Sequence, residues 1–301
     1  MDYILLLCAT IASAVKGLVC KKNGAGTSDN QRVFELNALI FLGAAMTVAI
    51  YALGSGAGFQ MSALTCGLGV LFACMLMFTQ LTQTFAMRYG PASITSLIYS
   101  LGFLLPIFYS ALFLEEHISV LQILGMASTV AALYFMIDLK CDRRTSGLWL
   151  LLSVLASMGS GTNAIIQKIH RSRTPESEIP AFLVLALFLA AVLAFLISVI
   201  MGKKKAQGTG RTGETVKAPR MEWSVVLFNL LFCGISIGAL NVMNLLLAGR
   251  LPAIIQFPVF NIGGMILVAL GGKFLFHDKL TGRQAVGFVI GCGAILMIGL
   301  F

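Results

Sequence analysis

Hydrophobic residues run along this chain in blocks of about 20, the length a helix needs to cross a bilayer, and short polar or glycine-containing breaks separate the blocks. The pattern predicts helices over Tyr3 to Cys20, Val33 to Leu53, Met61 to Met87, Ala92 to Leu114 and Val120 to Ile137. After a charged hinge, Asp138 to Arg144, it predicts Gly147 to Ile169, Ala181 to Met201, Trp223 to Ala248, Ala253 to Phe276 and Gly282 to Phe301. The longest break, Gly202 to Arg220, is basic, rich in Gly and Thr and without apolar periodicity, so it reads as a flexible loop. The expected fold is an all-α integral membrane protein of ten transmembrane helices, organised as 1–138, a connecting loop 139–146, and 147–301.

The two halves resemble each other. Sliding the chain against itself by about 161 places sets Pro91-Ala92 on Pro252-Ala253. After a one-residue slip, Ile118-Ser119 falls on Leu280-Thr281, Gln122 on Gln284 and Gly125 on Gly287. Ser119-x-x-Gln122 and Thr281-x-x-Gln284 have the form of a capping box, which satisfies unpaired N–H groups at a helix start. Five crossings are an odd number, so the second half must run inverted relative to the first, as in many secondary transporters.

Composition agrees with a lipid solvent: 301 residues, 58% apolar and only 11% charged, with a mean hydropathy of +0.92. A net charge of +9 would suggest nucleic acid in a soluble protein, but these Lys and Arg residues sit in breaks or at helix ends, where orientation and lipid headgroups explain them. The start, Met1 to Leu7, lacks a basic n-region, so the first run is expected to be a retained helix rather than a cleaved signal. The seven cysteines show no metal-ligand spacing and read as small apolar fillers. No HExxH or Walker A signature is present, and no enzyme, cofactor or metal site is expected.

Ser160-Gly161-Thr162-Asn163 followed by Lys168 resembles the Trp-Gly-Ser-Asn…Lys stretch of EamA-type proteins in the drug/metabolite transporter superfamily, with serine for the usual tryptophan. Glu116-x-Ile118-Ser119-x-x-Gln122-x-x-Gly125 is similar to the family's Glu-x-Leu-Thr-x-x-Gln-x-x-Gly signature, and Asp278 to Gly287 is a second copy with aspartate for glutamate. The resemblance implies ten helices, alternating access and a cavity lined mainly by the first, third, fourth, sixth, eighth and ninth. It does not imply one substrate.

Candidate solute-binding residues follow from polar groups inside the apolar runs. Lys16 is the charged residue placed well inside a predicted helix, and an intramembrane ionisable group is a functional candidate. Lys21 and Lys22 mark the helix end roughly 8 Å away at 1.5 Å per residue, so snorkelling to the interface competes with a cavity role. Aligning Lys22 with Lys168 puts Lys16 at Thr162 and Gly17 at Asn163, the cavity-side positions that the resemblance suggests. In a cavity Lys16 could bind a carboxylate or phosphate, or lose its proton as a coupling switch.

Gln80 and Gln83 share a helix face, and the repeat lands them on Asn241 and Asn244. Thr95 falls on Gln256, Tyr99 on Phe260 and Ser100 on Asn261. Lining a solute path is one reading of these residues, and interhelical hydrogen bonding is the other. Pro106 and Pro258 favour kinks. Glu115, Glu116, His117, His277 and Asp278 are expected in solvated loops at the water interface.

The expected activity is secondary transport of a small polar metabolite, amino-acid-like or an organic anion, by alternating access; the alternative is a non-transporting assembly or regulatory protein. The expected partners are that solute and the lipid bilayer of the plasma membrane, with no nucleic acid and a homodimer left open. Breaks after odd-numbered helices hold about 16 Lys and Arg against about four after even-numbered ones, which favours termini outside. The resemblance favours termini in the cytoplasm.

Overall fold

In hydrocarbon every backbone N–H and C=O must be paired within its own segment, so apolar runs of this length become helices. The computed structural model describes residues 2–24, 30–56, 59–90, 92–136, 146–209, 222–276 and 281–299, and among them there is no strand. The helices are α1 (Asp2–Gly24), α2 (Asn30–Ser55), α3 (Ala63–Tyr89), α4 (Ala92–Ser100), α5 (Leu104–Phe113), α6 (Val120–Met136), α7 (Gly147–Arg173), α8 (Ile179–Thr209), α9 (Trp223–Leu227), α10 (Gly234–Ala248), α11 (Ala253–Phe276) and α12 (Gly282–Gly299). Among the described residues, six spans are long and apolar enough to cross a membrane, and four shorter apolar helical stretches accompany them.

Two of the predicted helices contain irregular turns. A 3₁₀ turn, Leu101–Phe103, joins α4 to α5 just ahead of buried Pro106. Pro106 has no N–H to return to the Gly102 carbonyl, and the tighter turn falls there. Pro258, by contrast, lies inside a continuous α11. A π-helical segment, Phe228–Cys233, joins α9 to α10, with Asn229 fully buried and its Nδ2 donating to the Val225 carbonyl at 2.8 Å.

The loop expected over Gly202 to Arg220 is helical at its start, because α8 continues to Thr209. Lys, Ala and Gln at positions 203–207 are good helix formers, and their propensity carries the last turns past the end of the apolar run. The rest of that stretch, the hinge residues 138–144, His277 and Asp278 lie outside the described residues.

Both expected capping boxes are present. Ser119 N–H donates to Gln122 Oε1 at 3.0 Å and Gln122 N–H to Ser119 Oγ at 3.2 Å. At the start of α12, Thr281 and Gln284 do the same at 2.9 and 3.3 Å. Reciprocal bonds of this kind satisfy two orphan donors at once.

The chain divides into two compact units that each draw on both sequence halves: residues 1–18, 74–176 and 243–301, and residues 19–73 and 177–242. Lipid offers no hydrophobic drive between helices, so small residues that let backbones approach set the contacts. In the first unit, Gly102 lies against the Ser157 carbonyl of α7, and a Cβ at Gly161 would come 2.6 Å from the Gly102 carbonyl oxygen. Gly263 of α11 meets Thr10 of α1 in the same way, at 2.8 Å. Helices α6 and α12 run antiparallel: Gly125 faces Ile298, and at the other end Arg283 donates to the Tyr134 carbonyl at 2.9 Å while lying 4.6 Å from that ring's centre.

In the second unit α2 packs on α8 and on the π segment. Gly43 and Gly234 meet there backbone to backbone. Glu178, buried just ahead of α8, accepts from Ser62 N–H at 3.3 Å, from Ser62 Oγ at 2.7 Å and from Thr65 Oγ1, which places a carboxylate at the positive end of α3.

Candidate functional site

Hydrogen bonding sorts the sequence-predicted residues. All except Asn241 belong to the first unit. Four spend their side chains on the carbonyl one turn back in their own helix: Ser100 on Ser96, Thr162 on Met158, Asn241 on Ile237 and Asn261 on Phe257, at 2.8 to 2.9 Å. Gln80, Gln83 and Tyr99 are half-buried, and no side-chain partner is found for them among the described residues. Lys16 lies on α1, but its side chain is outside the described ones.

The structure joins two of the remaining residues to other helices. Thr79 Oγ1 of α3 donates to the Met75 carbonyl at 2.7 Å, so it can only accept from Asn163 Nδ2, 3.3 Å away. Gly159 admits this contact, since a Cβ there would run into Thr79 Oγ1. Gln256 Nε2 donates to the Asn244 carbonyl at 3.0 Å, and a carbonyl can only accept. Both amides are therefore fixed in orientation, and each turns its oxygen away: Asn163 Oδ1 and Gln256 Oε1 are buried and have no partner among the described residues. Thr95, the repeat equivalent of Gln256, instead accepts from Trp149 Nε1 at 2.9 Å. Trp149 reaches it because Gly90 leaves room for the indole.

A second constellation, absent from the predicted site, closes one end of the same unit. Helix α5 ends with the Ser110 carbonyl accepting from both Leu114 and Glu116 N–H, at 3.0 and 3.3 Å. Glu115 between them is left-handed, at φ 54°. That turn aims Glu116 back at the protein. Glu116 Oε1 accepts from Lys168 Nζ at 2.8 Å, and Oε2 accepts from Ala253 N–H, the first amide of α11, at 2.7 Å. Lys168 Nζ also donates to the Leu251 carbonyl at 2.8 Å. The lysine is 3% exposed and the glutamate 18%.

Glu116 was expected in a solvated loop. It is instead the counterion of a buried lysine, whereas Glu115 and His117 beside it are exposed as expected. The pair was missed because its partners are 52 residues apart. A signal existed, since each is the charged residue of a family-like stretch.

Outside this pair lies a more exposed network. Arg171 pairs with Glu176 at 3.0 Å, and Arg250 with Glu176 at 3.2 Å and Asp2 at 3.6 Å. The Glu176 hydrogen bonds and charge hold the Arg250 guanidinium above its ordinary value, so it stays protonated at any physiological pH. An open cavity of about 340 Å³ is lined by Leu114, Glu116, Lys168, Arg171, Ser172 and the 248–252 turn.

Residues 1–138 match the model of the EamA-like transporter family. The EamA-type resemblance holds over those residues. A crystal structure 16% identical in sequence has a TM-score of 0.75, covering 98% of this chain and 98% of that one, a likeness that shows the fold alone. No curated protein sequence matches. The EamA-like family is one of transporters rather than enzymes, and with the apolar helices the match supports a multi-pass membrane protein of transporter type. Within this chain, the motif residues Glu116 and Gln122 hold helix starts in place, and Asn163 and Lys168 reach across helices.

Proposed function

We propose that the chain is a secondary transporter, built as two inverted five-helix repeats, that moves a small polar metabolite across the plasma membrane by alternating access. The observation that carries this reading is the pair of buried amide oxygens, Asn163 Oδ1 and Gln256 Oε1, which have no partner among the described residues of an apolar helical unit. Buried polar groups are nearly always paired, and in a membrane they are costly enough to mark solute paths. The repeat is supported by Gly102 and Gly263, which stand about 161 places apart and each carry a helix crossing, one on α7 and the other on α1. The solute path runs past Gln80, Gln83, Asn163 and Gln256, with Lys16 as the candidate for charge selection.

The test is uptake or exchange of labelled metabolites by the purified protein in liposomes. Gln83→Ala and Lys16→Ala should impair it while leaving the fold intact, and normal transport by both would remove this site assignment. Co-purification with a fixed partner, and no thermal shift across a broad metabolite panel, would favour the assembly role instead.

A further inference from the structure

We infer that the Glu116–Lys168 pair is a latch: it closes one end of the first unit, and it has to break before that end can open for a solute. The inference rests on the transport reading above. Its geometric basis is the turn between α10 and α11. Each helix closes its own end there: Gly249, Arg250 and Leu251 N–H donate back to Leu246 and Leu247, and Ile255 and Gln256 N–H donate to Pro252. The turn is then held to the rest of the unit by Lys168 on the Leu251 carbonyl and by Glu116 on Ala253 N–H. Both bonds come from the two members of one ion pair, so losing the pair removes both at once and leaves the turn, among the described residues, only the contact of Arg171 with Gly249 and the exposed Arg250 pairs.

The surroundings suit a reversible closure. The outer Arg250 and Glu176 side chains are 40% and 48% exposed, and exposed pairs are screened and individually weak. The inner pair is shielded, and removing one member strands a charge. Each member also has an exit. Glu116 already reaches solvent in part, and Lys168 sits within two turns of the end of α7, where its stem can carry the ammonium outward. The cavity behind the turn gives water a place to enter as the pair separates.

Hydrogen–deuterium exchange of the full chain in lipid nanodiscs tests this without a solute. Glu116→Gln keeps an acceptor for Ala253 N–H but removes the charge, Lys168→Met removes the cation, and Lys168→Arg keeps it. The first two should raise exchange across residues 251–256 by about tenfold or more, the consequence of ~1.4 kcal/mol. Lys168→Arg should stay within about twofold of the wild type, and the α2 and α8 amides of the second unit should be unchanged. Unaltered exchange at 251–256 in both charge-removing variants, or an equal rise in both units, would overturn the latch and leave the transport reading standing. Wild-type protein that moves no solute in liposomes removes the transport reading and the gating role with it, whatever the exchange profile.

Discussion

Replacing Gly43 with alanine should destabilise the protein, although alanine is the better helix former by about 1 kcal/mol. A methyl group at Gly43 would fall far inside the van der Waals contact distance of the Leu230 carbonyl oxygen and 2.8 Å from its carbon. Carbon atoms at rest stand about 3.5–4.0 Å apart, so α2 and the π segment must separate by about 1 Å. Both colliding groups are near or part of the backbone, and no rotamer change relieves them. Overpacking of this kind costs about 1–3 kcal/mol. The separation further forfeits about a quarter to a half of the dispersion energy along that face. The net expectation is a loss of about 2–3 kcal/mol, a fall in Tm of about 5 °C or more, read by thermal unfolding in detergent or nanodiscs. Gly67→Ala is the control, because no atom lies within 4 Å of the added methyl and propensity alone should act. If Gly43→Ala unfolds at the same temperature as Gly67→Ala, the backbone contact between α2 and the π segment does not carry that packing.

Glu115→Gly should stabilise the protein by about 0.5–1 kcal/mol, because glycine adopts the left-handed turn without a Cβ penalty; unchanged or lowered Tm would argue against that conformation. Thr95→Val should cost about 1–3 kcal/mol by stranding the Trp149 indole N–H, and the Thr95→Val, Trp149→Phe double variant should recover most of it, which a double-mutant cycle in thermal unfolding reads directly. Ser119→Ala should cost about 1 kcal/mol through the lost cap, with exchange faster in the first turn of α6.

What could be read from the sequence was local. The capping boxes needed two residues three apart, and both formed as their spacing implied. Helix positions followed from apolar runs, yet the end of α8 did not, because past Met201 it depends on the propensity of Lys, Ala and Gln rather than on burial. The π segment was not visible at all: it meets Gly43 of another helix at the Leu230 carbonyl, a contact that no local pattern announces. Glu116 failed for a related reason. Its neighbours along the chain are exposed, and only the left-handed Glu115 and a lysine on α7 make it a buried counterion.

The candidate site can be ranked by the same accounting of hydrogen bonds. A serine, threonine or asparagine that bonds the carbonyl one turn back satisfies a donor inside its own helix, so Ser100, Thr162, Asn241 and Asn261 can sit in lipid-facing or packed positions without a solute. The same explanation fails for Asn163 and Gln256. Their amide nitrogens are committed to acceptors on other helices, which turns their oxygens to positions that no other described residue satisfies. Gln80 and Gln83 likewise have no local carbonyl to account for them. A packing role predicts that Asn163→Leu and Gln256→Leu lose stability and leave solute selectivity alone. A solute-contacting role predicts the reverse emphasis, a change in which metabolites compete for transport, because the lone pairs removed are the ones the fold itself does not use.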